Sequence, residues 1–287
     1  MTSGLLDDPL LLRARGAGPE DELVWRARYR DDDARVWRAT AARAPHLHET
    51  WEPAKAGTGP LAALLSLRPV SIDVRVESPD GRTASRTLSR RLLAEGVRVR
   101  RWRDGLTATL YRPAGDAYRA TVLIDASSGS QQTVVAALAG SLLASRGVLA
   151  LAVAPARKSA ESARAGLRAA TGSAALDVAR ERLAAVPGVS AEIQVLSVLD
   201  PFADAVGVDP ADVGPAQAEA ANAGQRAVVV LPPGVGTRGG TPAALRALAW
   251  DELLDRLGAQ RRVEPALDEG APDSPDGDAD QGASRDA

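Results

Sequence analysis

The chain has few residues able to do chemistry near neutral pH. His46 and His48, both in "APHLHETW", are its two imidazoles, and it has no cysteine. That excludes a thiolate nucleophile, a disulfide and a zinc-thiolate site. An H-x-H pair on a strand can bind a metal ion, but no third ligand is evident beside it, so exposed loop or strand histidines are expected and no metal site. Two stretches are placed where catalytic or binding loops commonly sit. "DASSGSQQ", Asp125 to Gln132, follows an apolar run and precedes a helical pattern. Backbone N–H groups of Ser127, Ser128, Gly129 and Ser130 at a helix start attract anions, phosphates included. The same residues also suit a Ser/Gly turn that simply caps the helix. "LPPGVGTRGG" follows the apolar run Val228 to Leu231 and leads to Thr241-Pro242. It holds no histidine, cysteine or acid.

The elements that must position these stretches fall into two groups. In "ELVWRARYRDDDARVWRATA", arginines and valine alternate with Trp25, Ala27 and Tyr29, and then again after Asp31-Asp32-Asp33. Alternation around an acidic turn predicts a hairpin. "SIDVRVESPDGRTASRTLSRRLL" repeats the device, with Ile72, Val74 and Val76 on one face and a turn at Pro79-Asp80-Gly81. "VRVRRWRDGLTATLYRPAG" does so around Asp104-Gly105, a dipeptide that tolerates positive φ. These strands predict an N-terminal antiparallel β-sandwich over residues 2–104.

After Pro113-Ala114-Gly115 the pattern changes. "RATVLID" is an apolar strand, "QTVVAALAGSLLASRG" a helix stopping at Gly147, and "VLALAVA" a strand apolar on both faces. "AALDVARERLAAVPG" is a helix and "EIQVLSV" a strand. "AVVVL" then leads to a last helix with Leu245, Leu248, Trp250, Leu253, Leu254 and Leu257 in an apolar stripe. Strands alternating with helices predict a parallel α/β domain over residues 105–262. Residues 263–287 carry eight acids and one base, and their Pro/Gly/Asp-rich composition predicts a disordered acidic tail. With the whole chain at −2, the body carries +5.

Five segments, in order, carry a family resemblance. They are "DDPLLLRARG", "WRARYRDDDARVWRA", "GTGPLAALLSLRP", "LLAEGVRVRRWRDGLTATLYRPAG" and "GGTPAALRALAWDELLDRL". Together, from about Asp8 to Leu257, the chain resembles the acyl-CoA thioesterase family that includes the bile acid-CoA:amino acid N-acyltransferases. The resemblance implies an N-terminal β-sandwich joined to an α/β-hydrolase domain, and thioester hydrolysis or acyl transfer by a nucleophile-His-acid triad. The nucleophile of such a domain sits on a strand-turn-helix elbow, G-x-[SC]-x-G.

Aligned on that elbow, "EIQVLSVLDPFADAV" puts Ser197 at the first glycine, Leu199 at the nucleophile and Pro201 at the second glycine. Leucine cannot attack a thioester. Asp200 as the nucleophile would be followed by Pro201, which has no N–H to offer an oxyanion, and by Phe202 where a small residue is needed. Ser197 as the nucleophile would place bulky Leu199 at the second glycine. In the loop that carries the family's histidine, Pro233-Gly234-Val235-Gly236 is retained and Thr237 stands where the base would be. Threonine does not accept a proton near neutral pH. Asp204, Asp209 and Asp212 read as loop and cap acids, in an interval too short for the family's full set of elements. Ser128 has no histidine to activate it.

The expectation is therefore a reduced, α/β-hydrolase-like protein without catalytic residues. It would bind an acyl-CoA-like ligand through the Ser127–Ser130 loop, or act as an accessory protein; an active thioesterase or acyltransferase with a non-standard site is the alternative. No cofactor is expected. A homo-oligomer or protein partner covering the reduced sheet is expected, as is a cytoplasmic location. No apolar run approaches the roughly 18 residues of a membrane span. The arginine-rich "RTLSRRLLAEGVRVRRWRDG" puts Arg98 and Arg100 opposite Val97 and Val99, a solvated sheet face, and no nucleic-acid partner is expected.

Overall fold

Short alternating strands build the first of two six-stranded sheets. The computed structural model describes residues 3–8, 10, 12–17, 21–44, 47, 50–54, 66–103, 105–126, 130–154, 173–189, 192–198, 227–229 and 243–259. Strands β1 (Ser3–Leu5), β2 (Val24–Arg30), β3 (Val36–Ala41), β4 (Glu52–Pro53), β5 (Val70–Glu77) and β6 (Thr83–Arg91) assemble in the order β1-β6-β5-β2-β3-β4. All neighbours are antiparallel except β1, which runs parallel to β6.

The hairpin at Asp31 forms as its alternation predicts, with Arg30 opposite Val36. Asp31 closes it from inside. One carboxylate oxygen accepts the N–H groups of Asp33 and Arg35 at 3.0 and 2.9 Å, and the other accepts Trp37 Nε1 at 3.0 Å. Those bonds let an acid sit buried at the base of the turn. The turn between β5 and β6 places Gly81 at φ 83°, where a Cβ would be strained.

The N-terminal strands make a single sheet among the described residues, where alternation predicts a two-sheet sandwich. The apolar face that a second sheet would cover belongs to a cluster with Leu6 and Leu10 of the N-terminal segment and Ala44, Leu47 and Trp51 after β3. A period of two says that one face is buried; it does not say what buries it.

The second sheet contains β7 (Arg98–Trp102), β8 (Ala108–Arg112), β9 (Ala120–Asp125), β10 (Val148–Val153), β11 (Ile193–Val198) and β12 (Ala227–Val229). Its order is β12-β11-β9-β10-β8-β7. The last four strands of the sequence are mutually parallel, and β8 and β7 continue the sheet antiparallel at one edge. Three helices accompany it among the described residues: α1 (Ser130–Ser145), α2 (Ser173–Ala184) and α3 (Ala243–Arg256).

Helix α1 connects β9 to β10, and α2 leads from β10 back across to β11. Right-handed crossovers in opposite directions must lie on opposite faces. The core divides accordingly. Val122, Ile124, Val148, Ala150 and Leu196 cluster with α1 and α3, whereas Leu123, Leu149, Leu151 and Val153 cluster with α2. The α1/α3 cluster also includes the inner face of the first sheet, so one apolar core is continuous across both sheets.

Candidate functional site

In an open α/β sheet, ligands bind outside the carboxyl ends of the strands where the connections diverge to opposite sides. Here that point lies between β9 and β11. The chain leaves β9 through α1 toward β10, and leaves β11 toward β12 on the other side. Asp125, at the end of β9, is the register partner of Ser197 near the end of β11.

Beyond Asp125, Ala126 is buried and its N–H donates to Val153 O at 2.9 Å, drawing the end of β9 against the end of β10. Ala154 N–H donates to Thr107 O at 2.8 Å and fixes the same rim to the β7–β8 connection. Helix α1 begins at Ser130, four residues after Ala126, and has no acid in its first turn. Its positive end is therefore not neutralised from within the helix. The structure thus brings the ends of the Asp125–Ser130 and Ile193–Val198 segments to one rim of the sheet.

Of the residues singled out by sequence, Ser130 is the first residue of α1 and Ser197 lies in β11. Ser127, Ser128, Gly129, Leu199 and Thr237 lie outside the described residues, as do His46, His48 and the acidic tail. Along the sequence the two histidines fall between β3 and β4, in the N-terminal half. Among the described residues no group of three or more His, Cys, Asp or Glu is placed to hold a metal ion. No helix among them is long and apolar enough to cross a membrane.

A second polar centre, which the sequence reading missed, joins the two sheets. Asp7 and Asp8 follow β1 and are buried. Arg146, at the end of α1, donates from Nη2 to Asp7 Oδ2 at 2.8 Å and to Asp8 Oδ1 at 2.9 Å. Trp250 Nε1 of α3 donates to the same Asp7 oxygen at 2.8 Å. Asp8 Oδ2 accepts the Leu5 N–H at 2.7 Å. Burial disfavours the charged form of Arg146, but the facing Asp7 and Asp8 more than offset this, and its pKa lies above the ordinary arginine value.

Arg90 of β6 is buried beside this centre; a Cβ on Gly4 would come within 1.8 Å of its Nη1. A side chain at residue 4 would therefore have to displace the Arg90 guanidinium. Partners 139 and 243 residues apart make this a lock between sheets. Apart from Asp7 Oδ1, which is buried without a hydrogen-bond partner among the described residues, its groups bond one another, which fits a structural role better than a reactive one. The only sequence signal was a pair of adjacent acids set between Leu5-Leu6 and Leu10.

Tyr111 of β8 is also buried, under α1, and a Cβ on Gly140 would meet its ring at 2.7 Å. Burial pushes its phenol up to about 12, slightly opposed by Arg101. It stays protonated at physiological pH.

Comparison of the chain with protein-family models and with curated proteins gives no match to either.

Proposed function

We propose that this protein is a non-catalytic relative of the acyl-CoA thioesterase and N-acyltransferase family, which binds an acyl-CoA-like thioester, or a related anion, at the carboxyl ends of β9 and β11. The observation that carries the reading is the placement of β9, β11 and the start of α1. The two strands end side by side at the divergence of the sheet, and α1 opens there with no acid in its first turn. An α/β-hydrolase uses this rim, with an elbow after one strand and oxyanion donors after another. The N-terminal sheet followed by an open, largely parallel sheet with helices on both faces supports the same reading.

The chemistry available is binding chemistry. Backbone N–H groups at the start of α1 recognise an anionic or strongly polarised oxygen. Acyl transfer needs a nucleophile and a base to take its proton. The elbow alignment supplies Leu199, and the histidine loop supplies Thr237.

The test combines turnover and binding on the full chain. Thiol release is measured against short, medium and long acyl-CoA substrates, with melting temperature read under the same conditions. The expected result is no thiol release and a rise in melting temperature with at least one acyl-CoA. Turnover that survives a second purification route would overturn the loss of catalysis. No shift with any acyl-CoA or with free CoA would overturn the ligand class.

A further inference from the structure

The outer face of the first sheet is rich in arginine. On β2, Arg26, Arg28 and Arg30 are exposed, while Trp25, Ala27 and Tyr29 between them are buried. Arg38 stands opposite Arg28, and Arg75 opposite Arg26. Side chains paired across a non-bulged ladder share a face. Arg26, Arg28, Arg38 and Arg75 line a groove of about 640 Å³ together with Arg86, Thr40, Ser85 and Thr87. A smaller adjoining depression of about 260 Å³ shares Arg28 and adds Arg30 and Arg68.

Two acids of β5 lie on this face and both are engaged, and Glu52 of β4 is the register partner of Arg38. Glu77 accepts from Arg26 at 2.6 Å, and Asp73 from Arg28 at 3.0 Å and from Thr87 at 2.8 Å. The Thr87 hydroxyl and then Arg28 hold the Asp73 carboxyl below its ordinary range. Arg38 and Arg75 are exposed and, among the described residues, have no carboxylate partner. The face is therefore cationic, with unsatisfied charge in the groove.

We infer that this arginine face docks the chain's own acidic C-terminal segment, residues 264–287. Three observations select that occupant. The first is charge: the segment carries eight acids against one base, Arg285, while the rest of the chain is at +5. The second is reach. The described residues end at Ala259, after α3, and Trp250 of α3 is bonded to Asp7 next to β1. From β1 to β2 is three strand spacings, about 15 Å. The 28 residues beyond Ala259 span up to about 90 Å when extended. Tethering also gives the segment a local concentration on the order of millimolar.

The third observation concerns the main competitor, single-stranded nucleic acid, whose binding uses aromatic platforms beside the cations. Trp25, Tyr29 and Trp37 of β2 and β3 all point into the core, leaving no aromatic side chain of these strands on the arginine face. Flexible acids can instead settle around Arg38 and Arg75.

The absence of native cysteine makes the test clean. The full chain carrying Ser85→Cys and Ser274→Cys is spin-labelled, and the distance between labels is measured at low salt and at 1 M salt. Docking gives a narrow, short distribution that broadens at 1 M, where screening reduces the Debye length to about 3 Å. Arg38→Glu with Arg75→Glu should broaden it at low salt too. If that pair of substitutions impairs folding, neutralising Asp268, Glu269, Asp273, Asp276, Asp278 and Asp280 to Asn or Gln leaves the sheet untouched and should have the same effect. A distribution insensitive to salt and to both sets of substitutions overturns the inference. So does a short distance seen only between singly labelled chains mixed together, which would assign the tail to a second copy. An oligonucleotide that binds the unmodified chain as tightly as the neutralised one would also overturn it, because the tail would then not occupy the face.

Discussion

Arg146 illustrates how a single residue organises this molecule. It bonds two buried carboxylates of the N-terminal segment, and Trp250 completes the set. Removing one partner of such a buried ion pair leaves an uncompensated charge, typically at a cost of about 3–5 kcal/mol. Arg146→Ala should lower the unfolding free energy by about that amount in urea denaturation, whereas Arg26→Ala, at an exposed pair, should change it by less than about 1 kcal/mol. Tyr111 gives a pH signature. Its folded pKa of about 12 lies above the ordinary value of 10.0. The neutral phenol therefore contributes stability that is fully present below pH 10 and is lost as pH rises through about 12. That linkage is worth roughly 2–3 kcal/mol. Between those limits the melting temperature should fall, and Tyr111→Phe should flatten the fall.

At the level of elements, the sheets were built by short-range signals and the helices were placed by packing. Asp31→Ala should weaken the β2–β3 hairpin by about 1–3 kcal/mol, since it strands the buried Trp37 indole N–H. Gly140 sets the approach of α1 to β8. Alanine there would gain about 1 kcal/mol of helix propensity, yet its methyl group would strike the buried Tyr111 ring. Gly140→Ala should therefore be destabilising, by about 1–3 kcal/mol, and a second substitution, Tyr111→Leu, should reverse the sign of its effect. Denaturation of the single and double variants decides this. The hairpins, the buried strand β10 and the stop of α1 at Gly147 were legible because each depends on neighbours within a few residues. That the N-terminal strands form one sheet among the described residues was not, since alternation does not identify the covering layer.

At the level of the whole molecule, the two sheets share one apolar cluster, and the Asp7–Arg146–Trp250 lock sits between them. Unfolding of the two sheets should therefore be coupled, giving coincident transitions by far-UV and tryptophan signals. Arg146→Ala is the change most apt to separate them. The sequence by itself determined the alternation of strands and helices, the acidic tail with its opposing basic body, and the lack of cysteine. Composition and local periodicity suffice for those, because each is a property of the chain read in order. Only the tertiary structure decided that β9 and β11 end side by side, that arginines of β2, β3 and β5 gather on one sheet face, and that Asp7 meets Arg146 and Trp250. Those pairings join residues tens to hundreds of positions apart, and no local preference encodes them; they follow from how the apolar faces of the two sheets and three helices close on a common core.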